Sequence, residues 1–418
     1  MENVSHLSCI NCGKEYKPLP DRYLCYDCGD KGLLEVEYDY EKVAANWSKE
    51  ELANTADQRI WRYRSLLPIE DDTPLPPLAV GNTPIYESKK LAEELGLENI
   101  WIKDDGLNPT GSLKDRASAM AVVKAQEADA KIISCSSTGN AASSLAGNAA
   151  SMGGKLETVI FVPGRAPGGK LAQLLIYGAN VVSVQGDYQA AYDLSAAAIK
   201  KWGWYNRNAA INPYMVEGKK TSVLEMAEQM DFDLPDWLVF SVGDGCTIAG
   251  AWKALKDLKE IGFIEKVPRL LGVQAEGCAP ITSSFYSGEP LTVVDENTIA
   301  DSIAVGNPRN FVKAIRGVKN SNGEMINVSD EEIYEMMRLL GRTTGIFGEP
   351  AGVAGLAGIR KMVSKGEIKS NSRVGFVVTG NGLKDVKNAR EAAKEPLSIK
   401  PDLDLLEKEF IQQGVIKG

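Results

Sequence analysis

Between residues 131 and 208 short apolar runs alternate with longer stretches of helical character. Ile132–Ser136, Thr158–Val162 and Ala179–Val184 are too short for helices and are bounded by Gly, Ser, Asn and Pro, so they predict strands. Helices are predicted in the Ala-rich stretch that Asn140 opens, over 169–177 and over 188–202, and a fourth β element at Tyr205–Asn208. Strands separated by helices imply a parallel sheet. A second alternating series follows: Trp237–Val242, a Gly-rich turn, a helix near 247–260, and the buried runs Leu270–Ala275 and Val374–Val378. Upstream, residues 38–70 read as helical and Pro74, Pro76 and Pro77 as a linker; Asn99–Asp104 then forms a strand and 115–128 an Ala/Met-rich helix. The expectation is an α/β protein of two lobes, with its site in the cleft at the strand C-termini.

The chain has 418 residues, enough for two or three domains with sizeable cores. Its net charge of −9 argues against nucleic acid as a partner. It has no apolar run of membrane-spanning length and no signal-peptide pattern, so a cytoplasmic protein away from membranes is expected. The one histidine, His6, stands near the N-terminus. Acid–base chemistry must therefore come from Lys, Asp/Glu, Tyr, Cys or a cofactor.

Two Cys-x-x-Cys pairs, Cys9/Cys12 and Cys25/Cys28, are separated by twelve residues, and each is followed by Gly. This spacing suits a closed tetrahedral zinc site of four thiolates, which would be structural because no ligand position stays open. Two disulfides are the other reading, disfavoured in a chain without an export signal.

The turn Asn108-Pro109-Thr110-Gly111 delivers Lys114 to the start of a predicted helix. Positive potential at a helix N-terminus favours the neutral amine that a nucleophile must be; a solvated surface lysine is the bland alternative. Gly164–Lys170 nearly matches a nucleotide phosphate loop but ends on Leu171, which cannot ligate magnesium, so a plain βα turn is preferred. Gly243, Asp244, Gly245, Cys246 and Thr247 follow a strand and open a helix, an arrangement that suits a single phosphate ester better than a dinucleotide. Asp244 is awkward there unless it points away. Ser137, Thr138, Gly139 and Asn140 offer hydroxyls and amides to a carboxylate, or merely cap a helix. Thr379 and the glycines after it end an apolar strand, as a ring-binding edge or an ordinary turn. An amine, a monophosphate loop, a carboxylate loop and a strand-end hydroxyl, with almost no histidine, are jointly explained by a lysine Schiff base to pyridoxal phosphate.

The chain resembles the threonine synthases, within the fold-type II pyridoxal-phosphate enzymes. The resemblance rests on Asn108–Arg116, Ser137–Asn140, Glu217–Thr221, Thr298–Pro308 and Thr379–Asp385, and the four-cysteine segment looks like the ribbon that opens many of them. It implies a two-lobed, tryptophan-synthase-β-like fold: a zinc ribbon at 1–37, a large α/β domain at 38–119 and 216–418, and a small one at 120–215. It implies that Lys114 carries the cofactor and returns protons. Ser137, Thr138, Gly139 and Asn140 would bind the substrate carboxylate, Asn140 also near the ring hydroxyl. Gly243, Asp244, Gly245, Cys246 and Thr247 would bind the cofactor phosphate, and Thr379 would face the pyridine nitrogen. The implied activity is elimination or replacement on a small amino-acid substrate, giving threonine from O-phosphohomoserine and water, in a homodimer. Against this, positions where the family pattern has polar residues for the substrate phosphate are Ala141, Ala209, Ala210 and Met215. Lys219, Lys220 and Arg207 are candidates to compensate. The alternative is a related lyase or ammonia-lyase acting on an unphosphorylated or differently substituted amino acid. The intact lysine turn argues against a non-catalytic binding protein.

Overall fold

The computed structural model describes residues 1–137, 139–164, 168–186 and 188–417, with only the backbone of residues 168–170 and 188. Three sheets organise the chain. The first, of three antiparallel strands, is ordered Glu15–Tyr16, Val4–Cys9, Leu34–Tyr38. The second has six strands in the order Glu324–Val328, Arg269–Ala275, Trp237–Ser241, Arg373–Val378, Asn99–Asp104, Ile85–Glu87, parallel except for the last pair. The third has four parallel strands in the order Asn180–Val184, Glu157–Pro163, Ile132–Ser136, Tyr205–Asn206.

Every residue of Trp237–Ser241 is buried, as a central parallel strand covered on both faces requires. Each large apolar side chain there contributes roughly 1.5–3 kcal/mol by leaving water. The predicted strands Ile132–Ser136 and Asn99–Asp104 and the helix Tyr188–Trp202 are present, and the helix after the lysine turn is Lys114–Glu127. Residues 38–70 are less regular than their composition suggests. They break into Tyr40–Asn46, Lys49–Ala53 and the 3-10 turn Ile60–Leu66, because Asp39 and Ser48 each cap a new helix start.

Helix Tyr214–Gln229 runs between Lys114–Glu127 and Cys246–Glu260. Gly218 makes this possible: a Cβ there would lie 2.3 Å from the Arg116 carbonyl oxygen. Beneath that crossing sits a buried charge cluster. Arg116 donates to both Asp105 oxygens (2.9 and 2.7 Å) and both Glu225 oxygens (3.1 and 3.0 Å). Lys103 donates to the Thr83 carbonyl at 2.6 Å and to Glu225 at 2.5 Å. Burial alone would raise the Glu225 carboxyl, but the Arg116 and Lys103 charges outweigh it and hold it at about 2.

The N-terminal sheet is not a loose appendage. Leu7, Leu34 and Val36 join the same apolar cluster as Leu238 and Phe240. The Tyr38 hydroxyl donates to Glu217 at 2.6 Å, and Lys313 donates to the Leu34 carbonyl at 2.6 Å.

Candidate active site

Five strands end at one cavity. Asn99–Asp104 leads to the Lys114 turn, Ile132–Ser136 to Ser137 and Asn140, Tyr205–Asn206 to Arg207, Trp237–Ser241 to Gly243–Thr247, and Arg373–Val378 to Thr379; side chains or backbone from all five line the cavity. This is the strand-end cleft expected of a parallel sheet.

The lysine turn is fixed from both sides. The Thr110 amide and hydroxyl donate to Asp115 at 2.8 and 2.9 Å, and Asn148 donates to the same carboxylate at 2.9 Å. The Leu113 amide donates to the Thr379 carbonyl (2.8 Å) and the Asn381 amide to the Gly111 carbonyl (3.0 Å), stitching the turn to the end of the last strand. Lys114 opens its helix as expected, and its ammonium is pushed down to about 8. The leading cause differs from the helix-end potential invoked above: it is burial, followed by the charges of Lys219 and Arg207, with Glu349 opposing.

The Gly-rich loop caps helix Cys246–Glu260 with Gly245, at φ 86°, and no side chain caps the first turn. Gly243 lets residue 303 close over the loop; a Cβ would lie 2.8 Å from the Ile303 Cα. Asp244 is turned aside, its Oδ1 accepting the Arg309 amide at 2.9 Å. Above this helix start stands Lys219, 5% exposed, with its Cβ 3.2 Å from where a Gly250 Cβ would stand. Among the described residues it makes no hydrogen bond or ion pair. A buried cation over uncapped amides is costly unless an anion joins it. The loop thus fits a phosphate ester.

Of the three candidate compensating cations, two reach the cavity. Lys219 and Arg207 line it, whereas Lys220 turns to Glu217 and to Asp257 Oδ2 (2.5 and 2.6 Å) in the core. Ala141, Ala209 and Ala210 also line it; Met215 is wholly buried in the core and does not. Ser137 and Asn140 line the cavity, and the Gly139 amide donates to Ser137 Oγ at 3.2 Å. Thr138 lies outside the described residues, as does part of the Gly164–Lys170 loop. His6 sits on the N-terminal sheet beside Ser5 and Glu15 and plays no part in the cavity.

Glu349, Arg309 and Tyr192 also line the cavity, and the sequence reading gave them no role. Glu349 accepts the Asn140 amide at 2.7 Å, and its own amide donates to the Gly380 carbonyl at 3.0 Å. Arg309 stacks 4.1 Å from the Tyr192 ring centre. Arg309 directly follows the Thr298–Pro308 segment that carries the resemblance, and Glu349 precedes the helix that Pro350 opens.

The N-terminal sheet braces one wall. The Tyr205 and Tyr214 hydroxyls donate to the Pro20 and Leu19 carbonyls at 3.1 and 2.7 Å, and the Asn206 amide donates to the Tyr23 hydroxyl at 3.2 Å. In that sheet the Sγ atoms of Cys9, Cys12, Cys25 and Cys28 lie within 4.8 Å of one another, close enough for one metal ion.

The family model for pyridoxal-phosphate dependent enzymes matches residues 77–380. The chain is 38% identical to a threonine synthase of Methanocaldococcus jannaschii over 402 residues, 96% of this chain and 98% of that one. It is 37% identical to a threonine synthase of Methanosarcina acetivorans over 406 residues, 96% and 97% of the two. The chain belongs to the pyridoxal-phosphate-dependent enzymes, in the threonine synthase family. The fold agrees with this. Maize serine racemase superposes with a TM-score of 0.63 at 21% identity, covering 80% of this chain and 93% of that one. The processed form of threonine deaminase isoform 2 from Solanum lycopersicum gives 0.63 at 20%, covering 74% and 87%. No described helix is long and apolar enough to cross a membrane.

Proposed function

We propose that this chain is a pyridoxal-phosphate-dependent lyase that makes threonine from O-phosphohomoserine and water. The observation that carries the reading is Lys114, its amine brought down to about 8 in the cavity that Lys219 and the uncapped amides of Cys246–Glu260 share.

Lys114 would hold the cofactor through Nζ. Gly243, Asp244, Gly245, Cys246 and Thr247 would hold its phosphate, with Lys219 added from the structure. Asn140 and Thr379 would contact the ring. Ser137, Thr138, Gly139 and Asn140 would take the substrate carboxylate. The bound cofactor supplies the electron sink for carbanions at the substrate. The net change breaks the Cγ–O bond and forms a Cβ–O bond with the hydroxyl of water. One hydrogen moves from Cβ to Cγ, and the second hydrogen of water goes to the departing phosphate. Lys114 Nζ, its pKa brought down to about 8 so that the neutral amine is within reach, is the group to accept the Cα proton and return it. Ala141, Ala209 and Ala210 give this part of the cavity an apolar lining.

We also infer that Cys9, Cys12, Cys25 and Cys28 bind a structural zinc in a ribbon at 1–37. The large domain is taken as 38–119 with 216–418 and the small one as 120–215, since the six- and four-stranded sheets draw their strands from those segments. A cytoplasmic homodimer is the setting this reading carries.

Holoenzyme given O-phosphohomoserine should release threonine and phosphate in equal amounts. Turnover of unphosphorylated amino acids to keto acids, with none of O-phosphohomoserine, would establish the ammonia-lyase reading instead.

A further inference from the structure

Two buried cations face this cavity, and binding the cofactor phosphate explains one. Lys219 lies against helix Cys246–Glu260, whose first turn no side chain caps. Arg207 enters from a different wall, at the end of strand Tyr205–Asn206, and is 3% exposed. Its Nε and Nη2 both donate to Ser118 Oγ, at 3.2 and 3.0 Å. Ser118 stands one turn beyond Lys114 on the same helix, and its hydroxyl pairs with Ser144 at 2.6 Å. One edge of the guanidinium is thereby oriented while Nη1 makes no hydrogen bond among the described residues.

Among the described residues no carboxylate pairs with Arg207. Asp115 is near enough for its charge to be felt, but its oxygens are taken by Thr110 and Asn148. Burial works against the guanidinium charge, and the Lys114 and Lys219 amines feel it as a like charge. Such an arrangement is unfavourable until an anion arrives. Beside it, Ala209, Ala210 and Ala141 leave space without competing donors.

We propose that Arg207 is the specificity-determining seat for a phosphate monoester on the substrate side chain, the group that leaves. This rests on the pyridoxal-phosphate reading of the cavity. A guanidinium suits a tetrahedral dianion because it can donate two parallel hydrogen bonds as well as charge. The seat would also steady the phosphate as its Cγ–O bond breaks and negative charge grows on oxygen.

The test titrates wild-type holoenzyme with L-2-amino-5-phosphonopentanoate, which cannot lose its phosphonate, and with L-norvaline, which lacks it. Binding is read by calorimetry and by the change in cofactor absorbance. Wild type should prefer the phosphonate by at least about 30-fold, the lower range for a buried charge pair. Arg207→Met should abolish the preference while leaving cofactor content and norvaline affinity unchanged. Arg207→Lys should keep part of it and guards against a Met variant that does not fold. Equal affinity of wild type for the two probes, or a preference surviving in Arg207→Met, overturns the proposal. Cofactor loss in both Arg207 variants would also overturn it, by assigning Arg207 to the cofactor phosphate. Absence of any cofactor from wild type would instead sink the reading of the cavity on which the proposal rests.

Discussion

Two groups of buried cations lie along helix Lys114–Glu127, and they differ in what balances them. Arg116 is ringed by Asp105 and Glu225, with Lys103 sharing the second carboxylate. Arg207 and Lys219 are also buried but, among the described residues, face no carboxylate partner, only Ser118 and a helix start. A cluster that satisfies itself holds elements together. A cluster that repels itself holds a place for something with the opposite charge. The first group sits where helices Lys114–Glu127 and Tyr214–Gln229 meet the end of the Asn99–Asp104 strand, and the second lines the cavity. Pairing, not burial, separates scaffold from site.

The largest effect expected is at the group both cations act on. Lys114→Ala should lower turnover at least about 10³-fold, within the range for losing a positioned proton carrier. It should also remove the borohydride-stable cofactor adduct at residue 114. A variant that still forms a stable adduct would show that another lysine holds the cofactor.

Breaking the self-paired cluster should read out as stability. Glu225→Gln leaves Arg116 and Lys103 short of an anion in a buried setting and should cost about 3–5 kcal/mol in urea unfolding. The contribution has a pH sign. A carboxyl held at about 2 stabilises fully above its unfolded value near 4.5 and loses that contribution as pH falls toward 2. Glu225→Gln should flatten this acid limb. If it leaves both midpoint and limb unchanged, the cluster is not a structural brace.

Lys219→Met should behave in the opposite way. The cofactor-free chain loses an unmatched buried charge, so its unfolding midpoint should hold or rise. Cofactor affinity should fall about tenfold or more, the value of a hydrogen bond to a charged group. A cofactor-free chain that unfolds as readily as Glu225→Gln would erase the distinction between the two clusters.

Much of this was legible in the sequence because its signals are local. Trp237–Ser241 and Ile132–Ser136 are continuous apolar runs, the form a strand covered on both faces takes. The Lys114 turn announced itself through Pro109 and Gly111, and the cysteine spacing through its repeat. Charge pairing was not local. Lys219 and Lys220 are adjacent, yet the 100° step of a helix sends one to the cavity and the other to Asp257. Which of them, with Arg207, reaches the site depends on the crossing at Gly218, a contact between residues about a hundred positions apart. The edge strand Glu324–Val328 was missed because its Met-Ile-Asn pattern is neither a long apolar run nor a clean alternation.

The smallest effect is also the most diagnostic. An amine joins a carbonyl only in its neutral form, so capture of pyridoxal phosphate by the cofactor-free chain should accelerate with pH and level off near 8, not near the ordinary 10.5. Part of that lowering comes from the Lys219 and Arg207 charges, so removing either should move the inflection upward, with Lys219→Met moving it further because its effect ranks ahead. Stability should follow the same proton. The unfolded chain binds it up to about 10.5 and the folded chain only to about 8, so the cofactor-free fold gains stability as pH rises across that window. Arg116 belongs to the paired cluster and is not among the leading charges acting on Lys114, so Arg116→Met should move the inflection far less than Lys219→Met does. If Arg116→Met shifts the inflection as far as Lys219→Met, the two clusters are one electrostatic unit and the contrast between them fails.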